Sequence, residues 1–148
     1  MNGLIEPKVN IGVDRDIYVA LHCSKVLLVV CRMLTAAELE NRPSAFPWTS
    51  VCLTKKCTAA LITKTSELKV KLEEVAMGIP LVDYRMDLGE NMFVTIDSDT
   101  LTVQIRRFWS SPDGPRPTRT GVAMYAHEMA SLLTSIGDLH AQMVDGLV

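Results

Sequence analysis

Four arginines and two large aromatic residues lie within one short stretch of the sequence, RRFWSSPDGPRPTRTG, at residues 106–121. The stretch also contains three prolines and a single acid, Asp113. Cationic side chains can neutralise phosphates, and flat side chains can stack on bases. These residue types are therefore suited to contact with a single-stranded nucleic acid, provided that the fold brings them to one surface. The alternative is a proline-stiffened loop between two parts of a core.

The charge of the whole chain excludes a generic polyanion binder. Its 148 residues carry a formal net charge of −2. Residues 1–77 contain seven Lys and three Arg against eight acids, whereas residues 78–148 contain no Lys, five Arg and nine acids. Four of those five arginines lie in the stretch described above. A local cationic patch is compatible with this distribution, but a basic surface is not.

Composition predicts a globular domain with a core, since 48% of residues are apolar and 22% are charged. The longest apolar run, VLLVVC at residues 26–31, is far too short to span a bilayer and suits a buried strand. The N-terminal residues show no signal-peptide pattern. We therefore expect an intracellular protein with no membrane partner.

The cysteine pattern predicts neither a disulfide framework nor a metal site. No two of the four cysteines have CxxC spacing, and the three histidines do not complete a zinc pattern. Four thiols without a disulfide framework fit a reducing compartment. We expect no cofactor. The residues concerned are Cys23, Cys31, Cys52, Cys57, His22, His127 and His140.

No arrangement of residues typical of an enzyme is found. The chain has no GxSxG motif, no P-loop and no metal triad. The carboxylate pair Asp97 and Asp99 falls in a predicted hairpin, where a turn role is favoured over acid–base chemistry. The prediction is a binding protein without catalytic residues.

The sequence repeats itself. Residues 16–34 match residues 91–109 at a constant offset of 75, which pairs Tyr18 with Phe93 and Val30 with Ile105. The match resumes at an offset of 71 between residues 50–68 and 121–139. Two long blocks in the same order favour a duplicated unit over coincidence.

Each half predicts four strands followed by a helix. The strands are expected at residues 7–12, 16–21, 25–34 and 49–53, and at 80–89, 91–96, 100–109 and 120–124, with a proline-containing loop before each fourth strand. Gly121 is expected at a tight backbone position, and Thr54 is expected to cap the first helix. The apolar helix positions with 3.6-residue periodicity are Leu61, Leu68, Leu72 and Val75, and Met129, Leu132, Leu133, Ile136, Leu139 and Met143.

The predicted fold class is therefore α+β, with two β-β-β-β-α repeats at residues 1–77 and 78–148 in one compact unit. A single four-stranded sheet with one helix would leave a face open to water. We expect the two repeats to form an intramolecular pseudo-dimer with curved antiparallel sheets and helices packed against each other.

The second half resembles the core domain of the eukaryotic transcriptional positive cofactor four family. The most specific part of the resemblance is the order VQIRRFW, SPDG, P, TRTGVAM and E within residues 103–128. The first half is related to the family only through the internal repeat, and it has Leu34 in place of the Trp. The plant Whirly proteins and the kinetoplastid guide-RNA-binding proteins are similar more loosely, as chains that use a β-β-β-β-α unit twice.

The resemblance implies a non-enzymatic, nuclear, coactivator-like protein that binds single-stranded or melted DNA across its sheets in transcription. The family works as a homodimer of one unit per chain. The cations that it uses are only partly present here, because Asp97, Thr100 and Thr120 replace basic residues in the second half, and Cys31 replaces one in the first. The two halves together would supply about one site, whose expected contacts are Arg106, Trp109, Arg119, Lys25, His22 and Trp48.

Three functions remain open from the sequence. The first is single-stranded DNA binding in transcription or DNA maintenance, with transcription or replication proteins as further partners. The second is a protein–protein interaction scaffold that kept the fold and lost the nucleic acid. The third is RNA binding. Self-association beyond the pseudo-dimer is left open.

Overall fold

The computed structural model describes residues 4–12, 17–41, 48–79 and 84–145, with residues 4–8 described by their backbone alone. These residues form eight strands and four helices. The strands are β1 (Leu4–Asn10), β2 (Ile17–His22), β3 (Leu27–Met33), β4 (Trp48–Thr54), β5 (Arg85–Gly89), β6 (Met92–Asp97), β7 (Thr102–Ser111) and β8 (Gly114–Tyr125). The helices are α1 (Ala36–Asn41), α2 (Lys55–Thr63), α3 (Thr65–Ala76) and α4 (Ala126–Gln142).

The fold is α+β, as predicted. The strands form two four-stranded antiparallel sheets with the orders β1-β2-β3-β4 and β5-β6-β7-β8. Helices α2 and α3 both contact α4, and the edge strands β4 and β8 lie against each other. The predicted strand residues 80–83 lie outside the described part of the chain.

The two sheets have the same internal register. Val30 on β3 faces Val19 on β2, and Ile105 on β7 faces Val94 on β6, so each pair is related to the other by an offset of 75. The pairing of β3 with β4 also matches that of β7 with β8. Val30 faces Val51 and Ile105 faces Val122, so residues of β3 and β7 are related by an offset of 75 and those of β4 and β8 by an offset of 71. Equivalent residues therefore occupy equivalent positions in the two sheets.

Alternate residues of both sheets meet the helices in one apolar cluster. Successive strand residues point to opposite faces, so every second residue of β3 and β7 enters this core. Val30 and Ile105 are both fully buried, and so are Leu61 on α2 and Leu132 on α4. The opposite faces of the two sheets lie outside this cluster and carry the residues that differ most between the halves.

The predicted apolar face of α4 is confirmed. Its buried residues include Met129, Leu132, Leu133, Ile136 and Leu139, and Met143 is buried just beyond the end of the helix. This helix is long enough to contact strands of both sheets. It therefore supports the sheet that carries the candidate contacts from its inner side.

The single helix predicted in the first half is wrong, because the structure has two helices that meet at Lys64. The hydroxyl of Thr63 donates a hydrogen bond to the carbonyl of Ala59, and that of Thr65 donates to the carbonyl of Leu61. Such bonds to the preceding turn bend helices. A further short helix, α1, lies between β3 and β4 and was not predicted.

The start of α2 agrees with the sequence. Thr54 is its N-cap, and the hydroxyl of Thr54 accepts a hydrogen bond from the backbone N–H of Cys57 at 3.3 Å. The same hydroxyl donates to a carboxylate oxygen of Glu90 at 2.6 Å. Because Glu90 lies between β5 and β6, the bond from Thr54 to Glu90 joins the two halves of the chain.

The predicted proline loop after β7 is also wrong. Strand β7 continues to Ser111 and β8 begins at Gly114, so only two residues form the turn. Proline has no backbone N–H group to donate a hydrogen bond to a neighbouring strand. Because β8 is the edge strand of its sheet, one of its sides needs no such bonds, and Pro115 and Pro117 are accommodated there. Arg116 therefore lies in a strand rather than in a loop.

None of the helices in the described ranges combines the length and the apolar character that crossing a membrane requires.

Candidate nucleic-acid interface

An open groove of about 960 Å³ lies along the second sheet, on the face that does not join the apolar core. Its walls come from β5, β6, β7 and β8 and from the turn between β6 and β7. The strand residues that line it alternate with core residues, as in Gln104 and Arg106 on either side of Ile105. Sheet alternation therefore presents a row of polar side chains to solvent.

Arg106 lies at the centre of the groove and is held from two sides. Its Nε donates to the Oε1 of Gln104 at 3.0 Å, and its Nη1 donates to the carbonyl oxygen of Thr118 at 2.9 Å. The side chain is half-buried, and this burial lowers the pKa of Arg106. A guanidinium remains protonated at physiological pH even so. Arg106 is thus a fixed cation rather than a mobile one.

The position of Arg106 depends on Gly121, its register partner on β8. A Cβ atom on Gly121 would lie 2.9 Å from the Cζ and 3.0 Å from the Cβ of Arg106. Glycine therefore allows the arginine side chain to lie flat across the neighbouring strand. The tight backbone position predicted at Gly121 is where the Arg106 side chain crosses the neighbouring strand.

Two exposed arginines line the same groove. Arg119 on β8 makes no hydrogen bond or ion pair with any residue in the described ranges, and its side chain faces solvent. The guanidinium of Arg85 on β5 lies 5.2 Å from the ring centroid of Phe108. The ring of Phe108 in turn lies 4.8 Å from that of Phe93. The groove therefore holds three cations, one of which, Arg85, lies over the ring of Phe108 at a cation–π distance.

The other end of the groove is acidic. Asp97 and Asp99 line it at the β6–β7 turn. The Oδ1 of Asp97 accepts the backbone N–H groups of Asp99 at 2.9 Å and Thr100 at 3.4 Å, which is the turn role predicted for it. The groove is thus cationic along β5 and β8 and anionic at the turn.

Of the six contacts predicted from the sequence, Arg106 and Arg119 line this groove together. Trp109 is 50% exposed but does not line the groove, because it points to the opposite side of β7 from Phe108. Arg107 also points away, and its Nη1 donates to the carbonyl of Glu90 at 3.3 Å.

The other three predicted contacts lie in the first half, away from the groove, with His22 and Trp48 in its sheet and Lys25 in the turn between β2 and β3. The Nδ1 of His22 lies 3.0 Å from the Sγ of Cys23. The carbonyl of Lys25 accepts the N–H of Val144 at 3.0 Å, after the end of α4. Trp48 begins β4 and is 47% exposed. The shared site expected between the halves is not assembled in this groove.

The corresponding face of the first sheet has a different character. Cys31 stands where Arg106 stands in the second sheet, and Val29 stands where Gln104 stands. Cys31, Val29 and Ala20 are only 7%, 8% and 0% exposed. This face offers no equivalent cation at its centre.

Arg85, Gln104 and Phe108 are groove residues that sequence reasoning missed. The alternation of Arg85 with the buried Met86 was a usable signal, since it places Arg85 on the outer face of its strand. Phe108 shares the parity of Arg106 along β7, which also places it on that face. The aromatic residues that line the groove are therefore Phe108 and Tyr84 rather than Trp109.

The side chains in the described ranges include no group of three His, Cys, Asp or Glu residues placed to hold a metal ion. Burial raises the pKa of the Cys52 and Cys57 thiols. Both thiols therefore stay protonated at neutral pH and are poor nucleophiles.

No known protein family matches the chain when its sequence is compared with models of such families. A search of curated proteins finds no relative either.

Proposed function

We propose that the protein binds single-stranded nucleic acid through the groove of the second sheet and acts in transcription, as a coactivator-like factor, or in DNA maintenance. The observation that carries this proposal is the convergence of Arg85, Arg106 and Arg119 on one open groove in a chain of negative net charge. Phosphates are the ligand groups that such a set of guanidinium groups fits best.

The chemistry of the groove suits a single strand better than a duplex. Single-strand sites combine cations that follow the phosphates with flat groups for base stacking. Arg85 supplies a flat guanidinium, which Phe108 supports from behind at 5.2 Å. Arg119 supplies an exposed charge without a competing acid among the described residues. A base stacked on Arg85 would leave its phosphates within reach of the neighbouring arginines.

The proposal includes the finer architecture inferred from the sequence, in which two repeats form an intramolecular pseudo-dimer related to the positive cofactor four family. The identical strand orders and the constant register offsets support a duplicated unit. Each half also has an Asx turn in which a side-chain oxygen accepts the N–H of a glycine two residues later, at Asn10 with Gly12 and at Asp87 with Gly89. A nuclear location for a eukaryotic protein follows from the family resemblance alone.

The remaining predicted contacts have a secondary place in this proposal. Lys25, His22 and Trp48 lie in the first half of the chain, and Trp109 lies on the far side of β7. They would be reached only by a strand that leaves the groove and passes around an edge of the molecule. Their substitution should therefore change affinity less than substitution of Arg106 or Arg119.

A protein-binding scaffold is the second candidate. The observation that favours it is the loss of the central cation from the first sheet, where the buried Cys31 stands at the position of Arg106. Two aspartates in the groove also reduce its positive potential. In that case the fold would have kept its packing while losing the nucleic acid.

The decisive experiment measures the binding of a mixed-sequence DNA single strand, the same sequence as RNA, and the duplex, each across a salt series. Binding to single strands should weaken with salt, with a slope of about −0.7 per phosphate contact. The double variant Arg106→Ala, Arg119→Ala should bind more weakly, and its slope should be shallower by about 1.4. The RNA arm separates DNA from RNA binding.

The matched control is Lys69→Ala with Lys71→Ala, which removes two cations from α3, outside the groove. This control should leave the slope unchanged. If the wild-type protein binds none of the three nucleic acids at low salt, the proposal is wrong and the scaffold is favoured.

A further inference from the structure

We infer that the groove prefers bases that carry an amino group beside a ring-nitrogen acceptor, as cytosine and adenine do, over thymine and uracil. This inference rests on the proposed function and specifies its ligand. It is based on the acidic end of the groove, where Asp97 and Gln104 offer an acceptor beside a donor.

Strand pairing places these two side chains next to each other. Gln104 on β7 faces Thr95 on β6, and Asp97 lies two residues beyond Thr95 on the same face. Asp97 and Gln104 are thus diagonal neighbours, which are typically about 7–8 Å apart, with their Cβ atoms somewhat closer. Both line the groove. The edge of one base can meet both side chains at this spacing.

The donor and acceptor roles follow from the contacts that these groups already make. The Oε1 of Gln104 accepts the Nε–H of Arg106 at 3.0 Å. A guanidinium cannot accept a hydrogen bond, so the amide is oriented with its oxygen toward Arg106 and its NH₂ group is the donor that remains. The Oδ1 of Asp97 is used by two backbone N–H groups of the turn. Its second carboxylate oxygen can only accept.

This pair matches one class of base edge. Cytosine presents an amino donor at N4 beside the N3 acceptor, and adenine presents an amino donor at N6 beside a ring-nitrogen acceptor. In thymine and uracil a carbonyl replaces the amino group, so that a carbonyl oxygen would face Asp97. The position beside the carbonyl carries N3–H, which would face the Gln104 donor. Both contacts are then mismatched.

The charges of the groove also set the orientation of the strand. Asp97 and Asp99 repel phosphates from the turn, whereas Arg85 and Arg119 attract them toward β5 and β8. A bound strand would therefore turn its backbone to the arginines and its bases toward Asp97 and Gln104. The acidic end, which weakens affinity for phosphate, becomes the part of the groove that reads the base.

The test compares oligo-dC and oligo-dT of equal length, at fixed salt and at a slightly alkaline pH that keeps oligo-dC unpaired. Wild-type protein should bind oligo-dC more tightly by roughly five- to tenfold, which is the low end expected for one base read by two hydrogen bonds. Asp97→Asn keeps an oxygen for the turn but replaces the free acceptor with an NH₂ donor. Its preference should shift toward oligo-dT.

Asp99→Asn is the matched control, because it removes the same charge from the same turn without changing the pair that reads the base. It should raise the affinity for both oligonucleotides and leave their ratio unchanged. Equal binding of oligo-dC and oligo-dT by the wild-type protein would overturn the inference and leave the proposed function standing. The inference also fails if Asp97→Asn and Asp99→Asn act alike. Binding of neither oligonucleotide would overturn both proposals.

Discussion

The side chain of Arg106 lies flat across the backbone of Gly121, so closely that a methyl group at position 121 would come within 2.9 Å of the guanidinium carbon. The two residues face each other in the pairing of β7 with β8. The glycine thus determines where the central cation of the groove lies. Gly121 is therefore a positioning residue for Arg106. Replacing Gly121 moves the charge of Arg106 without removing it, so that the effect of its position can be measured by itself.

Gly121→Ala should weaken single-strand binding by about tenfold, which corresponds to about 1.4 kcal/mol. The added methyl group would displace the Arg106 side chain from its contacts with Gln104 and Thr118. Binding titrations at constant salt measure the loss. Gly137→Ala is the control, because Gly137 lies on α4 with no atom within 4 Å of an added Cβ. It should leave affinity unchanged and raise stability by about 1 kcal/mol. Equal affinities for the two variants would contradict the role of Gly121.

Arg85→Lys and Arg85→Gln should differ in their salt dependence. Lysine keeps the charge but not the plane that lies over Phe108, so this variant should keep the wild-type salt slope and lose about 1 kcal/mol of affinity. Glutamine removes the charge too, and its salt slope should be shallower by about 0.7. Anisotropy titrations at several salt concentrations measure both quantities. If the lysine variant binds as tightly as the wild type, stacking on Arg85 makes no contribution.

The ion pair of Arg32 with Glu38 should make stability depend on pH in the acid range. Arg32 is buried, and its Nη1 and Nη2 donate to the two carboxylate oxygens of Glu38 at 2.9 and 3.0 Å. These bonds lower the pKa of Glu38 from 4.5 to about 2. The stabilisation is therefore complete above pH 4.5 and is lost as the pH falls toward 2.

Glu38→Gln should cost about 1–2 kcal/mol of unfolding free energy at neutral pH, and less near pH 2. This cost is smaller than the full pKa shift implies, because the Glu38 side chain is 38% exposed and its charge is screened. Urea unfolding at several pH values measures the difference. Glu74→Gln, at an exposed pair with Lys71, should cost less than about 1 kcal/mol. A Glu38→Gln penalty independent of pH would show that the carboxylate charge is unimportant.

Thr54→Ala should destabilise the protein by about 1–2 kcal/mol, because it removes the cap of α2 and the bond to Glu90 together. Thr54→Ser keeps the hydroxyl and should recover most of the loss. Denaturant unfolding of both variants measures the contribution of the hydroxyl. If serine does not restore stability, the methyl group of Thr54 rather than its hydrogen bonds is the stabilising group.

Much of the fold could be predicted because hydrophobic alternation and strand length are local properties. The runs around Val30 and Ile105 gave the central strands of both sheets correctly. The long β7–β8 hairpin was missed for a different reason. Prolines suggested a loop, but an edge strand needs N–H groups on one side only, and the sequence does not show which strand lies at an edge.

The face of the sheet that a residue occupies could be predicted from the alternation along its own strand. Which residues of different strands meet in one groove depends on the strand order, and this could not be predicted. Arg106 and Arg119 were identified through the resemblance of the second half to the positive cofactor four family. Arg85 is remote from them in the chain, and only the order β5-β6-β7-β8 brings it to the same groove. Trp109 was predicted as a contact through the same resemblance, which places a Trp at the end of the third strand. Its neighbour Phe108 shares the groove side of β7, and alternation along the strand could have indicated this.

Arg106 and Cys31 occupy equivalent positions in two sheets of the same register, yet only one of them is a cation. Two identical sites related by a two-fold axis accept a strand equally well in either direction, since rotation exchanges the two orientations. A groove on one sheet has no such partner. Under the proposed function, the 5′-to-3′ and 3′-to-5′ orientations of a strand lying in this groove would differ in energy, so that binding would have one preferred direction, which a symmetric dimer does not have.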